Sequence, residues 1–182
     1  MHSYSSHFDY LPLAVQHYVG GRILALQMHM PVAGNILHHA VELFLKAQIA
    51  EYIPTKELAN SKKYGHHLDL LWHEYTRRVP ACPEYHFETI SELDRFEEIR
   101  YPRAEREQLA TSYALYKGSD GSRQTAEGAY SFTLECIDEL VSFLASNPKL
   151  KSHARELAMA MPSFSIQALL DSNRHKHAWV DT

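Results

Sequence analysis

The segment 36–50 constrains the fold most strongly, because as a helix it is apolar around nearly its whole circumference. A helix of this kind belongs in the interior of a helical bundle. Glu42 and Lys46 lie four residues apart and therefore share one helix face. Charges on a buried helix are costly unless they are paired, so this face predicts either a structural ion pair or a functional site. The narrow polar stripe of the helix consists of Asn35, His38, His39, Glu42 and Lys46.

Helical periodicity extends over most of the chain, and prolines and glycines interrupt it at intervals. No segment shows the two-residue alternation expected of a strand. The chain therefore predicts an all-α, up-and-down bundle of four or five helices over residues 1–148, followed by a helical C-terminal extension over residues 149–182. The basic segment 173–177 near the end is expected to be mobile. The predicted helices are 10–28, 31–52, 66–78, 84–100 and 125–145, with shorter ones within 103–116, at 153–161 and at 165–170.

Composition limits the class of protein. The 182 residues, of which 45% are hydrophobic, suffice for a single domain with a sizeable core. The net charge of −4 argues against a broadly basic nucleic-acid-binding face. We expect a cytoplasmic protein without a membrane partner, since no signal peptide and no apolar run of about 18 residues is visible. Cys82 and Cys136 lack metal-ligand spacing and are interpreted as reduced thiols.

Three motifs follow one another along the chain. Residues 39–47 place a Glu and a Lys one helical turn apart, residues 64–71 read Tyr-Gly-His-His-Leu-Asp-Leu-Leu, and residues 100–102 read Arg-Tyr-Pro. In this order they resemble the HEPN domain, the higher eukaryotes and prokaryotes nucleotide-binding domain. In that family the Gly-His-x-Leu motif begins the next helix and Arg-Tyr-Pro closes the fourth. The resemblance covers residues 10–145 and leaves the tail unexplained.

The resemblance implies a helical bundle that is usually a homodimer. Many members of the family work beside a small nucleotidyltransferase, and others are metal-independent ribonucleases of toxin–antitoxin or phage-defence systems. Those ribonucleases carry an Arg followed by four to six residues and a His, and this chain departs from that pattern. After Arg100 the next histidine is His153, and the formal match from Arg22 to His29 lies on the first helix. The resemblance therefore favours a binding module over an enzyme, and no catalytic residue is assigned.

The candidate binding residues are those that suit a nucleotide. Lys46 would hold a phosphate as a point charge while Glu42 orients a ribose or a partner cation. His66 stands at a predicted helix start, where backbone N–H groups attract anions. Arg100 has the planar donor geometry for a phosphate, and Tyr101 would stack on a base.

Each candidate also has a structural interpretation. Glu42 and Lys46 would then form a satisfied ion pair in the core. His66 would cap its helix or bond Glu42, and Arg100 would pair with Glu42 or favour a helix C-terminus. Tyr101 would simply pack among other aromatic residues.

A metal or other cofactor is not expected. The chain has 13 histidines, and His38 lies four residues before Glu42, but no His-Glu-x-x-His or Cys-paired pattern is present. A nucleophile elbow and a Gly-rich phosphate loop are also missing from the sequence. Two basic clusters would either flank a nucleotide site or form a solvated face: Lys62-Lys63 with Arg77-Arg78, and residues 149–155.

These patterns lead to three hypotheses. The leading one is a non-catalytic module that binds a nucleotide or short RNA in a groove between the second, third and fourth helices, through Glu42, Lys46, His66 and Arg100. The second is a divergent metal-independent ribonuclease, in which Arg100 stabilises the transferring phosphate and His66 transfers a proton. The third is a structural interaction module in which the same four residues form a buried polar lock.

Overall fold

The computed structural model describes residues 9–79, 86–100, 110–118 and 129–180. Within these ranges the chain is mostly helical, as the periodicity predicted, and none of the helices there is long and apolar enough to cross a membrane. The elements are α1 (Leu11–Leu26), α2 (Val32–Ile49), α3 (Thr55–Leu58), α4 (Ser61–Tyr64), α5 (Leu68–Arg78), α6 (His86–Asp94), a 3₁₀ segment (Arg95–Ile99), β1 (Thr111–Ala114), β2 (Tyr130–Thr133), α7 (Leu134–Ala145), α8 (Lys151–Met159), α9 (Ser163–Leu170) and a second 3₁₀ segment (Lys176–Ala178).

Helix α2 is the centre of the fold. Its side chains are buried around most of the helix, including the polar residues His38, Glu42 and Lys46. Helix α1 packs along one side of α2, and α5, α6 and α7 cover the others. The burial of α2 confirms the central position that the apolar circumference of segment 36–50 predicted.

Two glycines allow neighbouring elements to approach α1 and α2 closely. A Cβ atom on Gly21 would lie 2.7 Å from Cγ of Leu37, so α1 can meet α2 here only without a side chain. A Cβ atom on Gly34 would overlap the ring of Phe96, which follows α6. Both contacts hold α2 tightly between α1 and the segment that leads to Arg100.

The expectation that the chain contains no strands is wrong. Strands β1 and β2 pair in parallel, with Thr111 opposite Tyr130, so the predicted helix 125–145 begins only at Leu134. Strand β1 likewise lies within 103–116, where a short helix was expected. In β2, Tyr130 and Phe132 are buried against Phe96, with ring centroids 5.9 and 5.7 Å away. This aromatic alternation has the strand period, but it spans too few residues to stand out in the sequence.

The C-terminal tail packs into the same core as the bundle rather than hanging free. Trp179 is fully buried, and its ring stacks on Tyr18 at a centroid distance of 5.6 Å. Asn173, at the start of the basic segment 173–177, is also buried and donates a hydrogen bond to the carbonyl of Leu169. The segment expected to be mobile is therefore anchored to the core at both ends, by Asn173 and by the tryptophan just beyond it.

A buried ion pair joins α1 to α7 and to the tail. Arg22 is fully buried and pairs with Asp138, whose carboxylate also accepts a 2.7 Å hydrogen bond from the hydroxyl of Tyr18. The same guanidinium donates to the carbonyls of Ala168 and Asp171, at 3.1 and 2.7 Å. Burial raises the pKa of Asp138, and the charge of Arg22 opposes that shift. The formal ribonuclease-like match at Arg22 is thus an internal cross-link.

Candidate functional site

The carboxylate of Glu42 is the centre of the candidate site. Its side chain is only 2% exposed, and it has three partners from two parts of the fold. Nζ of Lys46 lies 2.5 Å from Oε1, while Nδ1 of His39 and Nδ1 of His66 each lie 3.0 Å from Oε2. The first two partners belong to α2, and His66 comes from the connection just before α5. The carboxylate therefore fixes this connection against the central helix.

These partners keep Glu42 ionised. Burial by itself would raise the pKa of Glu42, but the hydrogen bond from His39, the charge and hydrogen bond of Lys46, and the hydrogen bond from His66 outweigh it and lower the pKa to about 2. Lys46 has a side chain only 10% exposed. The Glu42–Lys46 pair is thus a satisfied pair inside the fold, as the structural interpretation of these two residues predicted.

The low pKa of Glu42 predicts a loss of stability in acid. A carboxyl with a lower pKa in the folded than in the unfolded state stabilises the fold above its unfolded pKa of about 4.5, and this contribution is lost as the pH falls toward 2. A shift of this size corresponds to about 3 kcal/mol. We expect the free energy of unfolding, measured with urea, to fall steeply in the wild type between pH 5 and 2.5. In Glu42→Gln the fall over the same range should be smaller by about 2–3 kcal/mol. Parallel pH profiles of the two proteins would contradict the assignment.

The N-terminus of α5 already has an anionic partner. His67 occupies the N-cap position, and the backbone N–H of Leu68 donates to Oδ1 of Asp94 at 2.7 Å. His66 stands one residue before the cap, with its side chain 41% exposed. The carboxylate of Asp94 thus takes the place that was predicted for a phosphate at this helix start.

Arg100 lies beside His66. Its Nη1 atom is 3.4 Å from Nε2 of His66 and 3.4 Å from Oε2 of Glu97, and its side chain is 40% exposed. The guanidinium is therefore linked to Glu42 through the ring of His66. The fold brings four of the five predicted site residues together, and the fifth, Tyr101, lies outside the described residues.

Two more histidine side chains lie near His66 and Arg100. The ring of His39 lies 4.7 Å from that of His17 on α1 and 6.3 Å from that of His66, measured between centroids. We call the row His17, His39, His66 and Arg100 the histidine–arginine strip. The sequence put His39 and Glu42 in the same polar stripe, but it contained no signal for His17, which only the packing of α1 on α2 brings here.

The open groove beside the strip is acidic. It has a volume of about 580 Å³ and lies between the start of α5 and the segment from α6 to Arg100. Phosphate would meet unfavourable charge there, so the groove does not suit the anion that the sequence hypothesis placed in it. Its charged lining residues include Asp69, Asp94, Arg95, Glu97 and Glu98.

Four cations of the two basic clusters have acidic partners among the described side chains. Lys63 pairs with Glu57, and Arg77 and Arg78 both pair with Glu74. In the second cluster Nζ of Lys149 lies 2.5 Å from Glu51. These contacts favour the interpretation as ordinary surface charges, since each of these cations has an acidic partner nearby.

Comparisons with protein-family models, with curated proteins and with solved structures find no match to this chain. The resemblance to the HEPN domain therefore stays a prediction made from three motifs. The features of this structure that bear on function are the histidine–arginine strip and the buried carboxylate beneath it.

Proposed function

We propose that the protein binds a phosphate group of a nucleotide or short RNA on the histidine–arginine strip. The observation that carries this proposal is the convergence of His39, His66 and Arg100, all partly exposed, above the buried Glu42 carboxylate. In this proposal the bundle acts as the binding form of a HEPN-like domain, beside a nucleotidyltransferase partner and as a homodimer.

The carboxylate organises the donors that would face the ligand. Because Nδ1 of both His39 and His66 is bound to Glu42, each ring is held with Nε2 on the other side. At His66 this second nitrogen lies 3.4 Å from Nη1 of Arg100, so the ring accepts from the guanidinium while Nδ1 stays on Glu42, and His66 thereby positions Arg100 for a phosphate oxygen. The neighbouring guanidinium of Arg100 supplies the planar donors that phosphate binds most strongly.

Lys46 has an indirect role in this proposal. Its ammonium group is committed to Oε1 of Glu42 and lies mostly inside the fold. It therefore holds the carboxylate in place and offsets its charge, instead of contacting the phosphate as the sequence hypothesis had it. The ligand-facing residues become His39, His66 and Arg100, of which His66 also lines the edge of the acidic groove.

The test is a binding assay at the two most exposed donors. We expect ATP, GTP or a short RNA, measured by calorimetry in the presence of EDTA, to bind the wild type. Arg100→Gln and His66→Gln should weaken binding at least tenfold, because a charge-assisted hydrogen bond contributes about 1.5–3 kcal/mol. Arg77→Gln removes the same charge from a surface ion pair and should bind like the wild type. Equal affinity in all four proteins, or no binding of any of the ligands, would exclude the proposal.

One specific observation favours the ribonuclease hypothesis. A carboxylate holds Nδ1 of His66 while an arginine lies beside Nε2, and such an arrangement suits proton transfer next to a stabilised phosphate. Incubation of labelled RNA with the wild type and with His66→Gln, again in EDTA, separates it from simple binding. Cleavage by the wild type alone would make His66 a catalytic residue, whereas intact RNA in both samples leaves the binding module.

A further inference from the structure

His38 is a buried histidine, and one of its two ring nitrogens has no hydrogen-bond partner among the described residues. The residue is 2% exposed, and its Nδ1 lies 3.0 Å from the backbone carbonyl of Leu93. Since a carbonyl only accepts hydrogen bonds, Nδ1 carries the proton. Nε2 then presents a lone pair, and within the described part of the chain it has no hydrogen-bond partner.

The surroundings of this lone pair are also acceptors. Oε2 of Glu97 lies 4.0 Å from Nε2 of His38. Both atoms carry lone pairs that a cation between them would satisfy, and Oε2 of Glu97, on a side chain 26% exposed, also lies 3.4 Å from Nη1 of Arg100. The arrangement on the other side of the ring supports this reading, because a histidine that ligates a metal typically donates its other N–H to a carbonyl or carboxylate.

Two further donors converge on the same place. His38, Glu42 and His66 each offer one ligand atom, and these atoms lie within 4.8 Å of one another. Two imidazoles and one glutamate form a donor set known from catalytic zinc sites. Helix α2 supplies the first two ligands four residues apart, and the connection before α5 supplies the third.

We infer that His38, Glu42 and His66 form a binding site for a divalent cation of the zinc class, with Glu97 as a fourth ligand. Zinc–ligand distances of about 2.0–2.1 Å require the donor atoms of His38, Glu42 and His66 to move together by roughly 1 Å. His66 and Glu97 are partly exposed and can make this movement, while Lys46 keeps its contact with Oε1 of Glu42.

The site was not visible in the sequence for a simple reason. His38 and Glu42 have helical ligand spacing, but two ligands do not define a zinc site, and no third ligand follows at a recognisable distance. The fold brings His66 and Glu97 to them from two other segments. The expectation that no metal is needed rested on the missing sequence motif alone.

The experiment uses the metal-stripped full chain without nucleotide. Zinc content after dialysis, thermal unfolding with and without Zn²⁺, and the visible absorption of the Co²⁺ form are the readouts. We expect roughly one zinc ion per chain, a higher midpoint with zinc, and a cobalt spectrum of four-coordinate type. His66→Gln and Glu97→Gln should lose most of the bound zinc, whereas His67→Gln, which removes the neighbouring histidine, should retain it.

Either of two results would overturn the inference: wild-type protein without stoichiometric zinc, or zinc content unchanged in both His66→Gln and His38→Gln. If His38→Gln does not fold, the partly exposed positions His66 and Glu97 decide the matter, because their replacement leaves the core intact. All three readouts report metal alone. Failure of this site is therefore distinguishable from failure of the proposed phosphate binding, which is measured in EDTA.

Discussion

Arg22→Leu is expected to lower the free energy of unfolding by about 3–5 kcal/mol. The substitution leaves the buried carboxylate of Asp138 without its cation, and it frees the carbonyls of Ala168 and Asp171 from their donor. Because burial already raises the pKa of Asp138, this carboxyl would take up a proton more readily in the variant. The tail should also loosen, since two of the lost hydrogen bonds tie it to α1.

Urea unfolding of a double-mutant cycle measures this effect. Asp138→Leu should be similarly destabilised, whereas the double variant Arg22→Leu/Asp138→Leu should recover part of the loss, because no unpaired charge remains in the core. Arg77→Leu is the matched control. Because the Arg77–Glu74 pair is exposed, this substitution should change the free energy of unfolding by less than about 1 kcal/mol. If Arg22→Leu behaved like Arg77→Leu, the ion pair would not be the cross-link described above.

Glu42→Leu is expected to destabilise the fold by about 3 kcal/mol or more at neutral pH. Leucine fills a similar volume but leaves the ammonium of Lys46 and two imidazoles without their common acceptor. Lys46→Met should cost clearly less, because Glu42 then keeps the hydrogen bonds from His39 and His66. This asymmetry follows from the position of the carboxylate at the centre of the cluster.

Denaturant unfolding of the two variants, with Glu57→Leu as an exposed-pair control, gives the comparison. The Glu57–Lys63 pair lies at the surface, so its loss should change stability by less than about 1 kcal/mol. A loss below about 1 kcal/mol for Glu42→Leu would rule out the buried lock and return Glu42 to the ligand-facing role. Nucleotide binding by folded Lys46→Met would further show that the lysine is not a direct phosphate ligand.

Local sequence patterns predicted the helices well where packing and periodicity agree. The apolar circumference of segment 36–50 identified the central helix, and the predicted helix 66–78 matches α5 within two residues. The fourth helix was less accurate, because it ends as α-helix at Asp94 and continues as a 3₁₀ segment to Ile99. In this 3₁₀ segment the ring of Phe96 packs against Gly34 and against Tyr130 of β2. Contacts of this kind, between distant parts of the chain, produce no periodic pattern in the sequence.

The site was predicted in part, for the same physical reason. Glu42 and Lys46 were recognisable because their spacing puts them on one face of an apolar helix. The partnership of His66 with Glu42 was only one of several possibilities, and the contribution of His17 was not foreseen. The acidity of the groove could not be predicted either, because it depends on α5 and α6 placing Asp69 and Asp94 side by side.

Local sequence was enough to predict that the chain forms mostly helices and that a charged pair lies on the most buried helix, because both properties depend on residues within a few turns of each other. Long-range packing sets which side chains contact this pair, the burial of Trp179 that anchors the tail, and the two short strands where helix was predicted. These features join residues far apart in the chain, and their energies come from burial and from charge pairing across elements. The position of His66 shows the difference: its sequence places it at a helix start, and only the fold places it on Glu42.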